Sequence, residues 1–175
     1  GRFGEDQGFA VTQVMNITDV GHLTQDDIEG GEDKMEAASK KTGKTAWQIA
    51  ALYEAEFHDC QNKLHVRLPH HMPRATDFIA QMGRIIDDLL DKGIAYQKNG
   101  NVYFEIARFP AYGKLSGKVL DELEEGARVA VNDEKKDPRD FALWKTDSLH
   151  QMQWDAPFRG GARGFPCWHI ECSAM

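Results

Sequence analysis

The pair Asn99-Gly100 is the feature that most constrains the fold of this chain of 175 residues. It separates two runs in which apolar and polar residues alternate, within the stretch IAYQKNGNVYFEI. Such alternation is typical of a strand with one buried face, and Asn-Gly favours the two-residue turn that joins antiparallel strands. The stretch therefore predicts a β-hairpin with Asn99 and Gly100 at its tip, and a helix over residues 94–106 would contradict it.

An amphipathic helix is predicted directly before this hairpin. In DFIAQMGRIIDDLLDK, apolar side chains at positions 79, 82, 86 and 89 recur at helical spacing. Thr76 is a good N-cap residue, and Gly93 is well placed to end the helix in a left-handed conformation. One continuous helix is therefore expected over residues 76–92.

The first part of the chain predicts a strand, a loop and two helices. FAVTQVMNITDV, residues 9–20, is rich in apolar and β-branched residues and predicts a buried strand that ends in a polar turn. GHLTQDDIEGGED, residues 21–33, is rich in Gly and Asp and predicts a loop. A short helix is expected to end at Gly43, and Thr45 is expected to cap the longer helix that follows.

The rest of the chain predicts short strands. ARVAV, residues 127–131, and DFALWK, residues 140–145, are strand candidates separated by the charged turn NDEKKDP. Strand and helices are thus followed by a β-rich stretch and then by the glycine-rich sequence RGGARGFPCW. This order predicts an α/β fold that is interrupted by a smaller, β-rich insertion.

Composition and charge exclude several classes of protein. Hydrophobic residues make up 41% and charged residues 28% of the chain, which is typical of a soluble globular protein. No apolar run approaches the roughly 20 residues that span a bilayer, and no secretory signal is recognisable. A net charge of −7 argues against non-specific binding of nucleic acid by the whole surface. Three cysteines without an export signal favour free thiols, so a cytoplasmic location and no membrane partner are expected.

The last ten residues, PCWHIECSAM, contain several zinc-binding residue types. Thiolate and imidazole are good zinc ligands, and a structural site normally needs four. If this segment is helical, His169 and Cys172 share a face, whereas Cys167 does not, so the segment does not supply a full site. The alternative is a buried structural cysteine beside a packed tryptophan. The adjacent His70 and His71 diverge on any regular element, and we interpret them as surface or loop residues.

Six short segments together resemble cysteinyl-tRNA synthetases: VMNITDV, PRATDFI, YGKLSG, GARV, DFALWK and, most specifically, WHIECSAM. They follow the order found in that family and are spread over nearly the whole chain. The resemblance implies a class I synthetase with a Rossmann-like catalytic core and a β-rich connective insertion. Residues 1–75 would form part of the core, residues 76–157 the insertion, and residues 158–175 the return to the core.

The same resemblance implies an activity and its site. The family activates cysteine with ATP, together with magnesium, and transfers it to its tRNA. A zinc ion held by two cysteines, a histidine and a glutamate binds the substrate thiolate. Cys172 matches one of those cysteines, Trp168 matches the tryptophan that closes the cysteine pocket, and Thr18 matches a residue lining the amino-acid site. A simple pocket discriminates only weakly between cysteine and serine, whereas a zinc–thiolate bond favours cysteine strongly.

Several positions depart from the family pattern or lie outside it. Cys167 stands where the family usually has glycine, and neither His169 nor Glu171 matches the zinc histidine or glutamate. The stretches after Asp19 and before Trp168 are longer than the common forms. The ATP-handling HIGH-type and KMSKS-type motifs are expected outside the chain, so no catalytic residue is predicted within it and the chain alone is expected to be inactive.

Two alternative functions accompany this interpretation. A cysteine-activating ligase of mycothiol synthesis has a similar pocket, but it transfers cysteine to an amino sugar and needs no tRNA. The sequence ECSAM favours the synthetase over that ligase. A non-catalytic module that kept the synthetase scaffold is the other alternative.

Overall fold

A computed structural model of the chain describes residues 2–20, 23–25, 30–115, 117, 134–148 and 150–175. The helices of this described part are α1 (Arg2–Asp6), α2 (Lys34–Thr42), α3 (Ala46–Lys63), α4 (Ile79–Asp91) and α5 (Trp168–Ala174), with 3-10 turns at Ala75–Phe78 and Ile106–Arg108. Its strands are β1 (Leu23–Gln25), β2 (Gly30–Asp33), β3 (Ala95–Lys98), β4 (Asn101–Phe104), β5 (Phe141–Lys145) and β6 (Phe165–Pro166).

Four strands form one antiparallel sheet in the order β3-β4-β5-β6. The turn between β3 and β4 has φ values of 53° at Asn99 and 86° at Gly100, as the two-residue turn requires, and Lys98 pairs with Asn101 beside it. The predicted hairpin is therefore confirmed. DFALWK supplies the predicted strand β5, whereas the strand predicted for residues 127–131 lies outside the described residues, as does the start of the charged turn before residue 134.

The helix predicted before the hairpin is present with a different first turn. A 3-10 turn over Ala75–Phe78 continues without a break into α4, and Gly93, with φ of 66°, ends the helix as expected. The predicted Thr76 cap is wrong, because this residue lies within the 3-10 turn. Its backbone N–H and its hydroxyl both donate to the carboxylate of Asp19, at 3.0 and 2.6 Å. A distant carboxylate thus replaces the local cap.

The segment predicted as a buried strand makes only two isolated parallel bridges. The Met15 N–H donates to the carbonyl of His71 at 3.1 Å, and the Ile17 N–H donates to that of Pro73 at 2.8 Å. The ladder bond between these two would need an N–H at residue 73, which proline lacks. The ladder is therefore interrupted, and Val14 is 51% exposed, so the prediction of a buried strand is wrong.

The loop predicted for residues 21–33 is corrected in part. β1 and β2 pair as antiparallel strands, although Gly and Asp are depleted in strands, and residues 21–22 and 26–29 lie outside the described part. Both helices predicted after this loop are confirmed. Gly43, with φ of 69°, follows α2. Thr45 and Gln48 form a reciprocal capping box at the start of α3, with hydrogen bonds of 3.0 and 3.3 Å.

The hydrophobic core joins the four-stranded sheet to α4 and α5. Helix α5 contacts α4, β5 and the 3-10 turn before α4. The buried members of this core are Val20, Ala75, Ile79, Met82, Ile86, Ala95, Val102, Leu143, Trp144, Phe158 and Ile170. In the described part of the chain, no helix has the length and apolar character needed to cross a membrane.

Two carboxylates attach residues 134–140 to the hairpin. Glu134 accepts hydrogen bonds from Asn99, Asn101 and Tyr103 at 3.1, 2.7 and 2.8 Å. Desolvation alone would raise the pKa of Glu134, but these donors outweigh it and lower the pKa. The carboxylate is therefore held in its charged form at the hairpin tip.

Asp140, the second carboxylate, lies at the other end of the same hairpin. It is 1% exposed and accepts hydrogen bonds from the Tyr96 hydroxyl at 2.9 Å and from the Ile106 N–H at 3.0 Å. Burial, together with this hydrogen bond to Asp140, raises the pKa of Tyr96 to about 12. Tyr96 therefore stays protonated and remains a donor.

The segment from residue 154 to residue 164 crosses α4 at very short range. A Cβ atom added at Gly83 would lie 2.3 Å from the carbonyl oxygen of Pro157. One helical turn further on, Asp87 accepts a hydrogen bond from the backbone N–H of Arg159 at 3.0 Å. Helix α4 thus fixes the segment that leads into β6 and α5.

We expect Gly83→Ala to destabilise the protein by about 1–3 kcal/mol, because the added methyl group overlaps the Pro157 carbonyl. This loss should exceed the helix-propensity gain of about 1 kcal/mol that alanine brings. Chemical denaturation of the two proteins measures the difference. Ala80→Gly, at an exposed position of the same helix, is the matched control because it reports propensity alone. A Gly83→Ala protein that is more stable than the parent would contradict the close contact.

Candidate functional site

The terminal motif forms helix α5, which exposes the predicted site residues on one face. Trp168 is 57% exposed, and Cys172 is an exposed free cysteine. The two are four positions apart, so they lie on the same side of the helix. Ile170 and Glu171, in contrast, are buried. The helix is therefore anchored by one face and leaves the Trp168–Cys172 face accessible.

The strand pair β5–β6 determines where α5 begins. The Cys167 N–H donates to the carbonyl of Leu143 at 2.9 Å, which extends the pairing up to the first helical residue. The glycine-rich approach is needed for the same contact. A Cβ atom at Gly164 would lie 2.1 Å from the carbonyl oxygen of Lys145, so the two chains approach closely only with glycine there. Trp168 is thus placed directly at the end of a paired strand.

His169 packs against the sheet. Its ring centroid lies 4.4 Å from that of Phe141, with an angle of 45° between the planes. The residue stays exposed overall, but partial desolvation of its ring lowers the pKa of His169, because desolvation penalises the imidazolium form. His169 is therefore held by packing against Phe141, next to Trp168 in sequence.

Thr18, the third predicted site residue, is exposed. Its neighbours Ile17 and Asp19 are both hydrogen-bonded to residues 73–76, which include the start of the 3-10 turn. Val20, two positions further on, is 3% exposed and belongs to the same core as Ile170 of α5. The structure therefore brings the Thr18 segment and α5 to one region, where both pack around the 3-10 turn.

The side chains that the structure describes supply only part of a zinc site. No group of three or more His, Cys, Asp or Glu in the described part is arranged to hold a metal ion. Cys172 is accessible and its thiolate is a suitable soft donor, but a single ligand does not form a zinc site. The residues present therefore fit one corner of such a site.

The paired histidines lie on the surface, as interpreted from the sequence. Both His70 and His71 are exposed. The Nδ1 atom of His70 accepts a hydrogen bond from the Gln13 N–H at 3.0 Å, so this ring is used to hold the neighbouring segment.

The model of the family described as tRNA synthetases class I (C) catalytic domain matches residues 2–175. This chain belongs to that family. The class I synthetase domain found here is 48% identical to a cysteine--tRNA ligase of Deinococcus radiodurans, over 96% of the chain and 33% of the relative. It is 46% identical to the ligase of Thermus thermophilus, over 97% and 35%, and 46% identical to that of Chlorobium luteolum, over 99% and 36%.

These comparisons confirm the family resemblance drawn from the six segments. The class I synthetase domain combines helices with a small antiparallel sheet, so its general α/β class is confirmed as well. The chain spans about a third of the length of the curated relatives it matches.

Sequence reasoning missed the contact between Asp19 and Thr76. The sequence predicts a polar turn at Asp19 and a local helix cap at Thr76, since both residue types favour such positions. The sequence did show a polar residue at the end of the predicted strand, Asp19, and another at the start of the predicted helix, Thr76. Nothing in their spacing, 57 positions apart, pairs them.

We expect NMR titration of the class I synthetase domain to give His169 a pKa below its ordinary value of 6.5. The unfolded chain then binds a proton that the folded chain resists, so the stability linked to His169 is fully present above about pH 6.5 and is lost as the pH falls through the folded-state pKa. When the pH is lowered from about 7.5 to about 5.5, which roughly covers that window, the His169→Gln protein should accordingly lose less thermal stability than the parent protein. A His169 that titrates above 6.5 would contradict the partial desolvation of its ring.

Proposed function

We propose that this chain is part of the catalytic region of a cytoplasmic cysteine–tRNA ligase, which activates cysteine with ATP and transfers it to its tRNA. The observation that carries the proposal is its 46–48% identity, over 96–99% of its length, to three relatives named cysteine--tRNA ligase. Because each of these relatives has that name, the amino-sugar ligase and the non-catalytic module are not favoured.

We also propose the finer architecture that the family implies. Residues 1–75 and 158–175 would belong to a Rossmann-like core, and residues 76–157 to the connective insertion. The parallel bridges at Val14 and Ile17 support this division, because parallel pairing is what such a core uses. The antiparallel pairing of β3, β4 and β5 is the pattern expected of a β-rich insertion. Strand β6, which belongs to residues 158–175, continues the same sheet and would join the insertion to the core.

Thr18 and Trp168 are proposed to bind the cysteine substrate. Both side chains are exposed, and both belong to segments that pack around the 3-10 turn. An indole ring offers a large, rigid apolar surface, so Trp168 can cover the small cysteine side chain and keep water from it. The Thr18 hydroxyl can donate a hydrogen bond to a polar group of the amino acid or accept one from it.

Cys172 is proposed as one zinc ligand, with the other three supplied by parts of the longer protein. Zinc would provide a soft acceptor that binds a thiolate far better than a hydroxyl, and so would separate cysteine from serine. The chain's own contribution is to hold the Cys172 thiolate on the face of α5 that also carries Trp168. ATP, with magnesium, is proposed to be handled by residues outside this chain, and we assign no catalytic residue within it.

The full-length protein should catalyse cysteine-dependent exchange of pyrophosphate into ATP. Activation by serine should be weaker by several orders of magnitude, because the hydroxyl binds zinc poorly. The isolated chain should be inactive, since transition-state stabilisation for adenylation depends on groups outside it. Absence of cysteine-dependent exchange by the full-length protein, or cysteine transfer to an amino sugar in place of tRNA, would refute the proposed function.

Cys172→Ser should lower zinc retention in the full-length protein. The loss in affinity should exceed the roughly 10–100-fold that changes around a metal ligand typically cost, because a ligand itself is removed. Discrimination against serine should fall in parallel. Zinc content after dialysis against a mild chelator measures the first effect, and pyrophosphate exchange measures the second. The matched control is Cys60→Ser, which changes an exposed cysteine on a different helix, α3. The Cys60→Ser protein should keep its zinc.

A further inference from the structure

The carboxylate of Asp19 is held by two donors from a single residue. Its Oδ1 atom accepts the Thr76 N–H at 3.0 Å, and its Oδ2 atom accepts the Thr76 hydroxyl at 2.6 Å. Both residues are half-buried. A hydroxyl–carboxylate bond of this length is charge-assisted and stronger than a neutral hydrogen bond. The Asp19–Thr76 pair therefore fixes the chain directly after Thr18.

The chain directly before Thr18 is fixed to the same place. The Ile17 N–H donates to the carbonyl of Pro73 at 2.8 Å, and the Ile17 carbonyl accepts the Ala75 N–H at 2.9 Å. Thr18 thus stands between two residues bonded to one short stretch, residues 73–76. Its own side chain is left exposed and available.

The base of that stretch is itself anchored to α3. The Arg74 guanidinium pairs with the Glu54 carboxylate through hydrogen bonds of 2.8, 3.0 and 3.1 Å. Ala75 is fully buried, and the 3-10 turn contacts α5, the helix with Trp168. A fixed frame therefore lies between the Thr18 segment and the Trp168 helix.

We propose that Asp19 and Thr76 are positioning residues that set Thr18 relative to Trp168 for amino-acid binding. This inference rests on the proposed function and adds two residues to it. Neither side chain needs to touch the substrate. Their double hydrogen bond fixes the backbone on one side of Thr18, so loss of the Thr76 hydroxyl would let Thr18 move away from the place where it meets the amino acid.

The test uses the full-length protein and cysteine-dependent pyrophosphate exchange. Thr76→Val keeps the shape and the backbone N–H but removes the hydroxyl. It should raise the KM for cysteine about tenfold, because Thr18 is no longer fixed and a misplacement of about 1 Å can cost up to about 100-fold. The kcat and the KM for ATP should stay within about twofold, because ATP is proposed to be handled by residues outside this chain and distant sites are expected to act independently. Thr76→Ser keeps the hydroxyl and should restore the parent KM.

Thr146→Val is the matched control for stability. Thr146 also donates two hydrogen bonds to one side chain. Its N–H lies 2.7 Å and its hydroxyl 3.0 Å from the side-chain oxygen of Asn101. It is also half-buried, but it lies beside the hairpin. Thr146→Val should lower the melting temperature by an amount similar to Thr76→Val and leave the KM for cysteine unchanged.

The outcomes are distinguishable. If the parent protein shows no cysteine-dependent exchange, the proposed function fails and the positioning role fails with it. If the parent is active but Thr76→Val behaves like Thr146→Val, with lower stability and an unchanged KM for cysteine, the positioning role alone is overturned. Should Thr76→Val not fold, Asp19→Asn decides by the same criterion, because it keeps the side-chain shape and removes the charge.

Discussion

The apolar stripe of α4 has to be removed from water, and the rest of the described structure is arranged around it. Met82 and Ile86 are 0% exposed. The sheet and α5 each cover part of the stripe, and Gly83 leaves room for the Pro157 carbonyl where a side chain would prevent the contact. Since burial of such side chains provides about 1.5–3 kcal/mol each, this helix organises its neighbours. The segments that bear the proposed site residues are held where they are by this packing.

Local patterns in the sequence predicted the elements that depend on local interactions. Asn99-Gly100 specified the hairpin because left-handed φ values at both turn residues need little else. Thr45 alone predicted the start of α3, and the structure adds Gln48, since each of the two satisfies a backbone group of the other within four residues. The terminal motif left helix and strand open, since the seven residues of α5 contain too few turns for a periodic signal.

Non-local interactions account for what the sequence did not predict. Proline at position 73 removes one donor from a parallel pairing, and that loss is visible only once the partner segment is known. Thr76 looks like a cap until Asp19 is placed beside it. In the candidate site, Thr18, Trp168 and Cys172 were predicted from the family resemblance of two segments, VMNITDV and WHIECSAM. In the fold, both segments pack around the same 3-10 turn. The hydrogen bonds between Asp19 and Thr76 and between Arg74 and Glu54 had no sequence signature, because these partners are 57 and 20 positions apart.

The length of chain between bonded partners also bears on the order in which the protein folds. The hairpin closes over a two-residue turn, so it can form within microseconds once its strands exist. The Asp19–Thr76 bond closes a loop of 57 positions, and the entropy of closing it grows with the logarithm of that length. During synthesis, the segment that contains Thr18 leaves the ribosome long before its partner does. It must therefore wait, without its bonding partner, until residues 73–76 have emerged.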